Sequence, residues 1–304
     1  MTEQVVAGII RDALREKPDG IEHIPTLEDS HVYRAEMSSG AVFFKSEHEG
    51  HSIDVAAWAY VKAATAGVPV PDVLHVDLSR ERWPEEFMIV TAVGGSDLLH
   101  DPLDGDDLWR AIAGYGELLR RLHTIELEGF GELEFAPAKV GDPVGEFADY
   151  ASAMRHSLDW ALPYLIEKKL VSHEQVERIQ NVLERSGEVV TAPNTGVLLH
   201  DDAGLDHLFV DRTSMEITGL IDFEPRSDDP IRDLAIFAYY YPGLAPHLFD
   251  GYGPVPDDVE LRMKLYRLLR AVGSARWEHE RRLDVADPLA EIEQQSRELN
   301  GMLA

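Results

Sequence analysis

The stretch "LLHDDAGLDHLFVD", Leu198 to Asp211, sets Asp201, Asp202, Asp206 and Asp211 beside His200 and His207, between two short apolar runs. Carboxylates gathered this closely repel, and partial burial raises the cost of their ionised forms unless a cation or proton compensates. A divalent metal, a polycationic partner, or water around an acidic surface loop would each do so. Further on, Asp222 closes the apolar run "ITGLI", and upstream Lys45 ends the apolar strand "AVFFK". Hard oxygen donors of this kind suit Mg²⁺ with phosphate oxygens completing its shell. A lysine opposite them adds the charge that nucleotide phosphates need. The plain alternatives are turn aspartates at Asp202 and Asp222, and at Lys45 a charge that protects a sheet edge.

The elements that must position these residues divide into two kinds. In the first ~95 residues, strand-like runs dominate. "HVYRAEMSSGAVFFKSE" reads as two strands around Ser38-Ser39-Gly40, and "EEFMIVTAV" as another strand, closed by Gly94-Gly95. Between them, Ile53, Ala57, Tyr60 and Ala64 form the stripe of a helix that stops at Gly67. Beyond Gly95 the pattern turns helical: Leu108, Ile112, Tyr115, Leu119 and Leu122 share one helix face. Ser172 and Gln175 form a capping box ahead of another helix. "GVLLH", "HLFVD" and "ITGLID" are short β-type runs among the helices. A hairpin of the last two brings together the ends that carry the acidic residues. The expectation is an α+β fold with a small antiparallel-sheet lobe, residues 1–95, and a larger mainly helical lobe, residues 96–304, meeting at a cleft.

Composition narrows the partners. The 304 residues are 44% hydrophobic, enough for two such lobes. There is no cysteine, which excludes disulfides, thiol nucleophiles and thiolate metal sites. A net charge of −28 opposes binding to nucleic acid or an anionic membrane. It favours neutral or cationic partners, and fits equally an acid-rich proteome or adaptation to salt. No apolar run approaches ~18 residues, and "MTEQVVAGIIRDALREKPDG" lacks a basic leader, so a cytoplasmic location is expected.

The segments "HVYRAEMSSGAVFFK", "AGVPVP", "LLRRLHTIELEGFGEL", "LLHDDAGLDHLFVD" and "ITGLIDFEPRSDDPIRDLAIF" span most of the chain. In that order they resemble the aminoglycoside phosphotransferase family, small-molecule kinases with a protein-kinase-like fold. The "HDD…H…IDF…DP…DLA" set is the specific part. The resemblance implies that Lys45 holds the α- and β-phosphates of ATP or GTP, and that Ser30 lies in the loop over them. Thr91 and Val93 belong to the inter-lobe linker whose main chain binds the purine, and Asp54 partners the lysine. Asp202 corresponds to the catalytic carboxylate, Asp222 to the principal Mg²⁺ ligand, and His207 to the second ligand. Asp233 corresponds to a buried brace of the catalytic loop.

Three positions depart from the family pattern: Asp201 stands where glycine is usual, His207 where asparagine is usual, and Asp54 where glutamate is usual. Histidine at that place resembles the gentamicin-type 2″-aminoglycoside and macrolide phosphotransferases. Imidazole suits Mn²⁺ better than Mg²⁺, so Mn²⁺ is the alternative metal. Asp201, Glu224, Trp277 and Glu278 are candidates to face the acceptor. The reading is a small-molecule O-phosphotransferase, first of an aminoglycoside or another antibiotic. Its alternatives are a metabolic kinase of a sugar, amino sugar or choline-like alcohol, and a nucleotide-binding pseudokinase scaffold.

Overall fold

The computed structural model describes residues 2–26, 30–46, 52–136, 141–189, 193 and 195–304. Residues 1–125 carry α1 (Glu3–Leu14), β1 (Gly20–Ile24), β2 (His31–Met37), β3 (Gly40–Ser46), α2 (Ile53–Thr65), β4 (Val73–Asp77), β5 (Phe87–Thr91), β6 (Ser96–Asp97) and α3 (Gly105–Leu122). Residues 126–204 carry β7 (Glu126–Leu127), β8 (Phe130–Glu134), β9 (Val144–Phe147), α4 (Tyr150–His156), α5 (Leu162–Glu167), α6 (His173–Val189) and β10 (Gly196–Leu199). The remainder carries β11 (Leu208–Val210), β12 (Ile217–Leu220), β13 (Arg226–Asp228), α7 (Ile231–Tyr240), α8 (Ala245–Tyr252), α9 (Val259–Glu280) and α10 (Ala286–Met302). By contact the chain forms two compact units, one of residues 1–125 with 205–225 and the other of residues 126–204 with 226–304.

The first unit is built on an antiparallel sheet in the order β1-β2-β3-β5-β4. The β2–β3 hairpin turns at Ser38-Ser39, pairing Met37 with Gly40, whose φ of +123° suits a residue without Cβ. Strand alternation sends Val42, Phe44 and Ser46 into a core with Tyr33, Ala35, Trp83, Phe87 and α1's Val6, Ile9 and Ile10. Phe44 stacks on Phe87 at 4.8 Å and meets Trp83 edge-on at 5.1 Å. The same alternation turns Lys45 to the opposite face, across from Met88. Because β3 lies between β2 and β5, Lys45 is on an interior strand and the sheet-edge explanation of its charge fails.

The helix α2 packs against β4 and β5. It buries Ile53, Ala57 and Tyr60 as expected, but Ala63 rather than Ala64 completes the stripe and Ala64 is exposed. Positions 56, 60 and 63 continue the buried face at 4, 3 spacing, and Ala64 has rotated past it. Ile112, Tyr115, Leu119 and Leu122 of α3 are buried as their spacing predicts.

A three-stranded sheet in the order β12-β11-β6 also belongs to the first unit. Gly95 has φ +80°, and a Cβ there would stand 2.3 Å from the Val210 carbonyl oxygen. A Cβ at Gly219 would stand 2.5 Å from the side chain of Val93. Both glycines are therefore required for residues 93–95 to lie against the β11–β12 hairpin.

The second unit holds an antiparallel sheet in the order β7-β10-β13-β8-β9, with α4 to α10. The capping box forms as read: Ser172 N–H donates to Gln175 Oε1 at 2.8 Å, and Gln175 N–H donates to Ser172 Oγ at 3.2 Å. No helix among the described residues is long and apolar enough to cross a membrane.

Candidate active site

In the first unit the β11–β12 hairpin brings three chemically active residues together. Leu208 pairs with Leu220, and the Ile221 N–H donates to the His207 carbonyl oxygen at 3.1 Å, extending the ladder by one residue at its open end. His207 and Asp222 flank that end, and His207 Nε2 stands 3.6 Å from Asp222 Oδ2 and 3.6 Å from Asp206 Oδ2. Lys45 Nζ forms an ion pair with Asp222 Oδ1. The side chains of Lys45 and His207 are 15% and 13% exposed, whereas that of Asp222 is 47% exposed. A largely buried ammonium is thus matched by a carboxylate that still reaches solvent.

Asp222 has φ +62°, in the left-handed region that aspartate tolerates better than most residues. Its N–H donates to the Tyr60 hydroxyl oxygen at 3.0 Å, and the Tyr60 ring meets Phe223 edge-on at 5.3 Å. α2 therefore holds the Asp222-Phe223 turn. The sequence placed Tyr60 only in a buried stripe; an aromatic carrying a hydroxyl there was the available signal.

The other nucleotide-side candidates lie in the same unit. Asp54 sits in the first turn of α2, its carboxylate bonded by the Ser52 hydroxyl and, at 2.9 Å, by the Val55 N–H. Ser30 precedes β2, and its carbonyl accepts from the Thr26 hydroxyl at 2.9 Å. Thr91 is tied to Asp72 twice: its N–H donates to the Asp72 carbonyl at 3.0 Å, and its hydroxyl accepts from the Asp72 N–H at 2.9 Å. Val93 rests its side chain against Gly219.

In the second unit, the loop after β10 is held by a buried network. Asp233, fully buried in the first turn of α7, accepts the N–H of His200 and that of Asp201, each at 2.9 Å. It is the brace that the resemblance implies. The Asp202 N–H donates to Nδ1 of the fully buried His200 at 3.2 Å. Asp201 has φ +59°, in the left-handed region that favours glycine.

Here the aspartate side chain is 9% exposed and takes the Arg232 guanidinium, whose Nη2 lies 3.0 Å from Oδ2. Burial by itself would lower the Arg232 pKa, and the neighbouring acidic groups, Asp201 first and then Asp228, together outweigh it and hold the pKa above its ordinary value. Asp201 is thus placed as an internal brace rather than as a surface for an acceptor. Arg232 lies 31 residues beyond Asp201, and nothing in the sequence joined the two.

Asp202 itself is 28% exposed, and Arg270 Nη2 lies 3.4 Å from its Oδ1. Trp277 and Glu278 lie on α9, with Arg281 stacked 4.1 Å from the Trp277 ring. Burial, then Asp287 and Asp284, pushes the Glu278 carboxyl up. Glu224 is half-buried in the segment joining β12 to β13.

The family described as "Phosphotransferase enzyme family" matches residues 29–266. The chain belongs to that family. It is a kinase-type phosphotransferase, an enzyme that moves a phosphoryl group to a hydroxyl of a small molecule.

Solved structures show the kinase-like fold of this phosphotransferase. The aminoglycoside phosphotransferase APH(4)-Ia aligns with a TM-score of 0.74 at 16% identity, over 97% of this chain and 99% of its own. A protein provisionally described as a fructosamine-3-kinase from Thermobifida fusca YX-ER1 aligns with a TM-score of 0.70 at 15% identity, over 97% of this chain and 98% of its own. A mutant of APH(4)-Ia, solved as a ternary complex with AMP-PNP and hygromycin B, aligns with a TM-score of 0.72 at 17% identity, over 96% and 97%. No curated protein matches.

A divalent metal is implied by the family, and its fit can be judged from the donors. Among the described residues, no group of three or more His, Asp or Glu side chains is arranged to hold a metal. Asp222 and His207 offer one carboxylate and one imidazole at adjoining positions. Such a set fits an ion that fills its shell with phosphate oxygens and water, and does not fit a closed protein cage.

Proposed function

We propose that this phosphotransferase uses ATP or GTP, with Mg²⁺ or Mn²⁺, to phosphorylate a hydroxyl of an aminoglycoside or another antibiotic. The observation that carries the reading is the convergence of Lys45, Asp222 and His207 at one hairpin end. In this reading residues 1–95 bind the nucleotide, and residues 96–304 supply the catalytic loop and acceptor site. Lys45 binds the phosphates, Ser30 covers them, and the main chain at Thr91 and Val93 meets the purine. Asp222 and His207 would hold the metal, which when bound neutralises charge on the phosphate oxygens.

Asp202 orients the acceptor hydroxyl and receives its proton. The acceptor oxygen forms a bond to the γ-phosphorus, the bond from that phosphorus to the β-γ bridging oxygen breaks, and the nucleoside diphosphate leaves with the electron pair. Partners are the nucleotide and a neutral or cationic small molecule, without nucleic acid or membrane, in the cytoplasm.

The likeness to a fructosamine-3-kinase supports a second reading, a metabolic kinase of a sugar or amino sugar. A panel of aminoglycosides (hygromycin B included), macrolides and sugars, assayed for acceptor-dependent nucleotide turnover, separates the two. Turnover on antibiotics alone supports the first reading, and turnover on sugars alone replaces it with the second.

A further inference from the structure

A cation stands beside Asp202. Arg270, from the middle of α9, brings Nη2 to 3.4 Å from Asp202 Oδ1, an ion-pair distance rather than that of a strong hydrogen bond. The guanidinium is held from a second side by the last residue of α7. Nε donates to the Tyr240 hydroxyl oxygen at 3.0 Å, and the group lies 5.3 Å from the Tyr240 ring centroid. Two anchors on one planar group make this a directed cation and not a flexible surface charge.

We propose that Arg270 is a specificity-determining residue that makes the position beside Asp202 cationic, so that the acceptor presents there a hydroxyl whose immediate neighbours are neutral or anionic. This rests on the phosphotransferase reading above and names the chemistry of its acceptor. An ammonium next to the reacting hydroxyl meets a like charge on arrival, and like-charge contact is a strong element of discrimination.

Further along α9 the charge reverses. Arg270, Ser274, Trp277 and Glu278 share one helix face, at spacings of 4, 3 and 1. Eight residues place Glu278 about 12 Å along the axis from Arg270. Burial and two neighbouring carboxylates push the Glu278 carboxyl up, so an ammonium brought to it would be stabilising. The acceptor so described carries any positive charge remote from the hydroxyl that receives the phosphate.

The test uses the full chain with ATP and Mg²⁺ and three pyranoses of matched shape: glucosamine, glucose and glucuronate. It reads phosphorylation, and inhibition of the slow hydrolysis of ATP, for the parent, Arg270→Gln and Arg270→Lys. The parent is expected to favour glucose and glucuronate over glucosamine. Arg270→Gln should narrow that preference by about tenfold, and Arg270→Lys should restore it.

The assignment is overturned if the parent favours glucosamine, if Arg270→Gln leaves the ratio within about twofold, or if no sugar is used or inhibits. Should Arg270→Gln fail to fold, the parent's ranking and that of Arg270→Lys still decide. ATP binding and hydrolysis by the parent, measured in the same samples, report separately on the phosphotransferase reading. Their absence rejects that reading, whereas their presence with the wrong ranking rejects only the role of Arg270.

Discussion

At the scale of single residues, Asp202 and His207 make distinct commitments. Asp202→Asn keeps shape and removes the proton acceptor, so turnover should fall by ~10²- to 10⁴-fold while nucleotide affinity is retained. Steady-state kinetics beside a nucleotide-binding titration check this, and a rate above about half the parent's would remove Asp202 from the role of base. His207→Asn exchanges a nitrogen donor for an oxygen donor at the position adjoining Asp222. If the imidazole binds metal, the variant should use Mg²⁺ better relative to Mn²⁺. An unchanged ratio of kcat/KM with the two metals would leave His207 as a packing residue at 13% exposure.

At the scale of elements, the loop after β10 depends on helix α7. Asp233 takes two of the loop's N–H groups, and Arg232, next to it, takes the Asp201 carboxylate. Asp201→Ala would remove the closer of the two carboxylates that face the buried Arg232, leaving Asp228 at 3.9 Å, and would keep a side chain in the left-handed region, at a cost of about 3 kcal/mol, the low end for a broken buried pair. Denaturant unfolding should register the loss. Arg232→Met combined with Asp201→Gly should recover most of it, because charge and backbone strain are removed together; a double variant as unstable as Asp201→Ala contradicts this account. A smaller effect belongs to α6, where Ser172→Ala removes one half of the capping box. It should lower stability by about 1 kcal/mol, seen as a shifted unfolding midpoint, with kcat unchanged.

At the scale of the whole molecule, 56 acidic against 28 basic residues leave a net charge of −28. Excess charge of one sign opposes the compact state, and salt screens it over a Debye length that falls from ~10 Å at 0.1 M to ~3 Å at 1 M. The melting temperature should therefore rise by a few degrees with added NaCl. Thermal unfolding from 0.02 to 1 M (about the range over which the Debye length changes most) measures it. A flat response would mean that local ion pairs already compensate the charge.

Strand alternation, helix spacing and capping were legible in the sequence because they are local. They foretold the β2–β3 hairpin, the buried face of α3, the Ser172-Gln175 box and the β11–β12 hairpin, whereas the placing of His207 beside Asp222 at its end came from the structure. The acidic loop was legible as chemistry because clustered carboxylates call for a compensating cation or proton, and the strand lysine gained its meaning only beside that loop.

Only the tertiary structure decided which charges meet. Arg270 is 68 residues from Asp202 in sequence, and Tyr60 is 162 from Asp222. Neither spacing carries a periodic signal, because a contact across so much chain is set by how helices pack and not by any local rule. The same holds for Asp201: its type alone suggested an acceptor contact, and burial beside Arg232 made it an internal ion pair. Local physics thus specifies the elements and the residues able to react, while packing selects the partner that each of those residues faces.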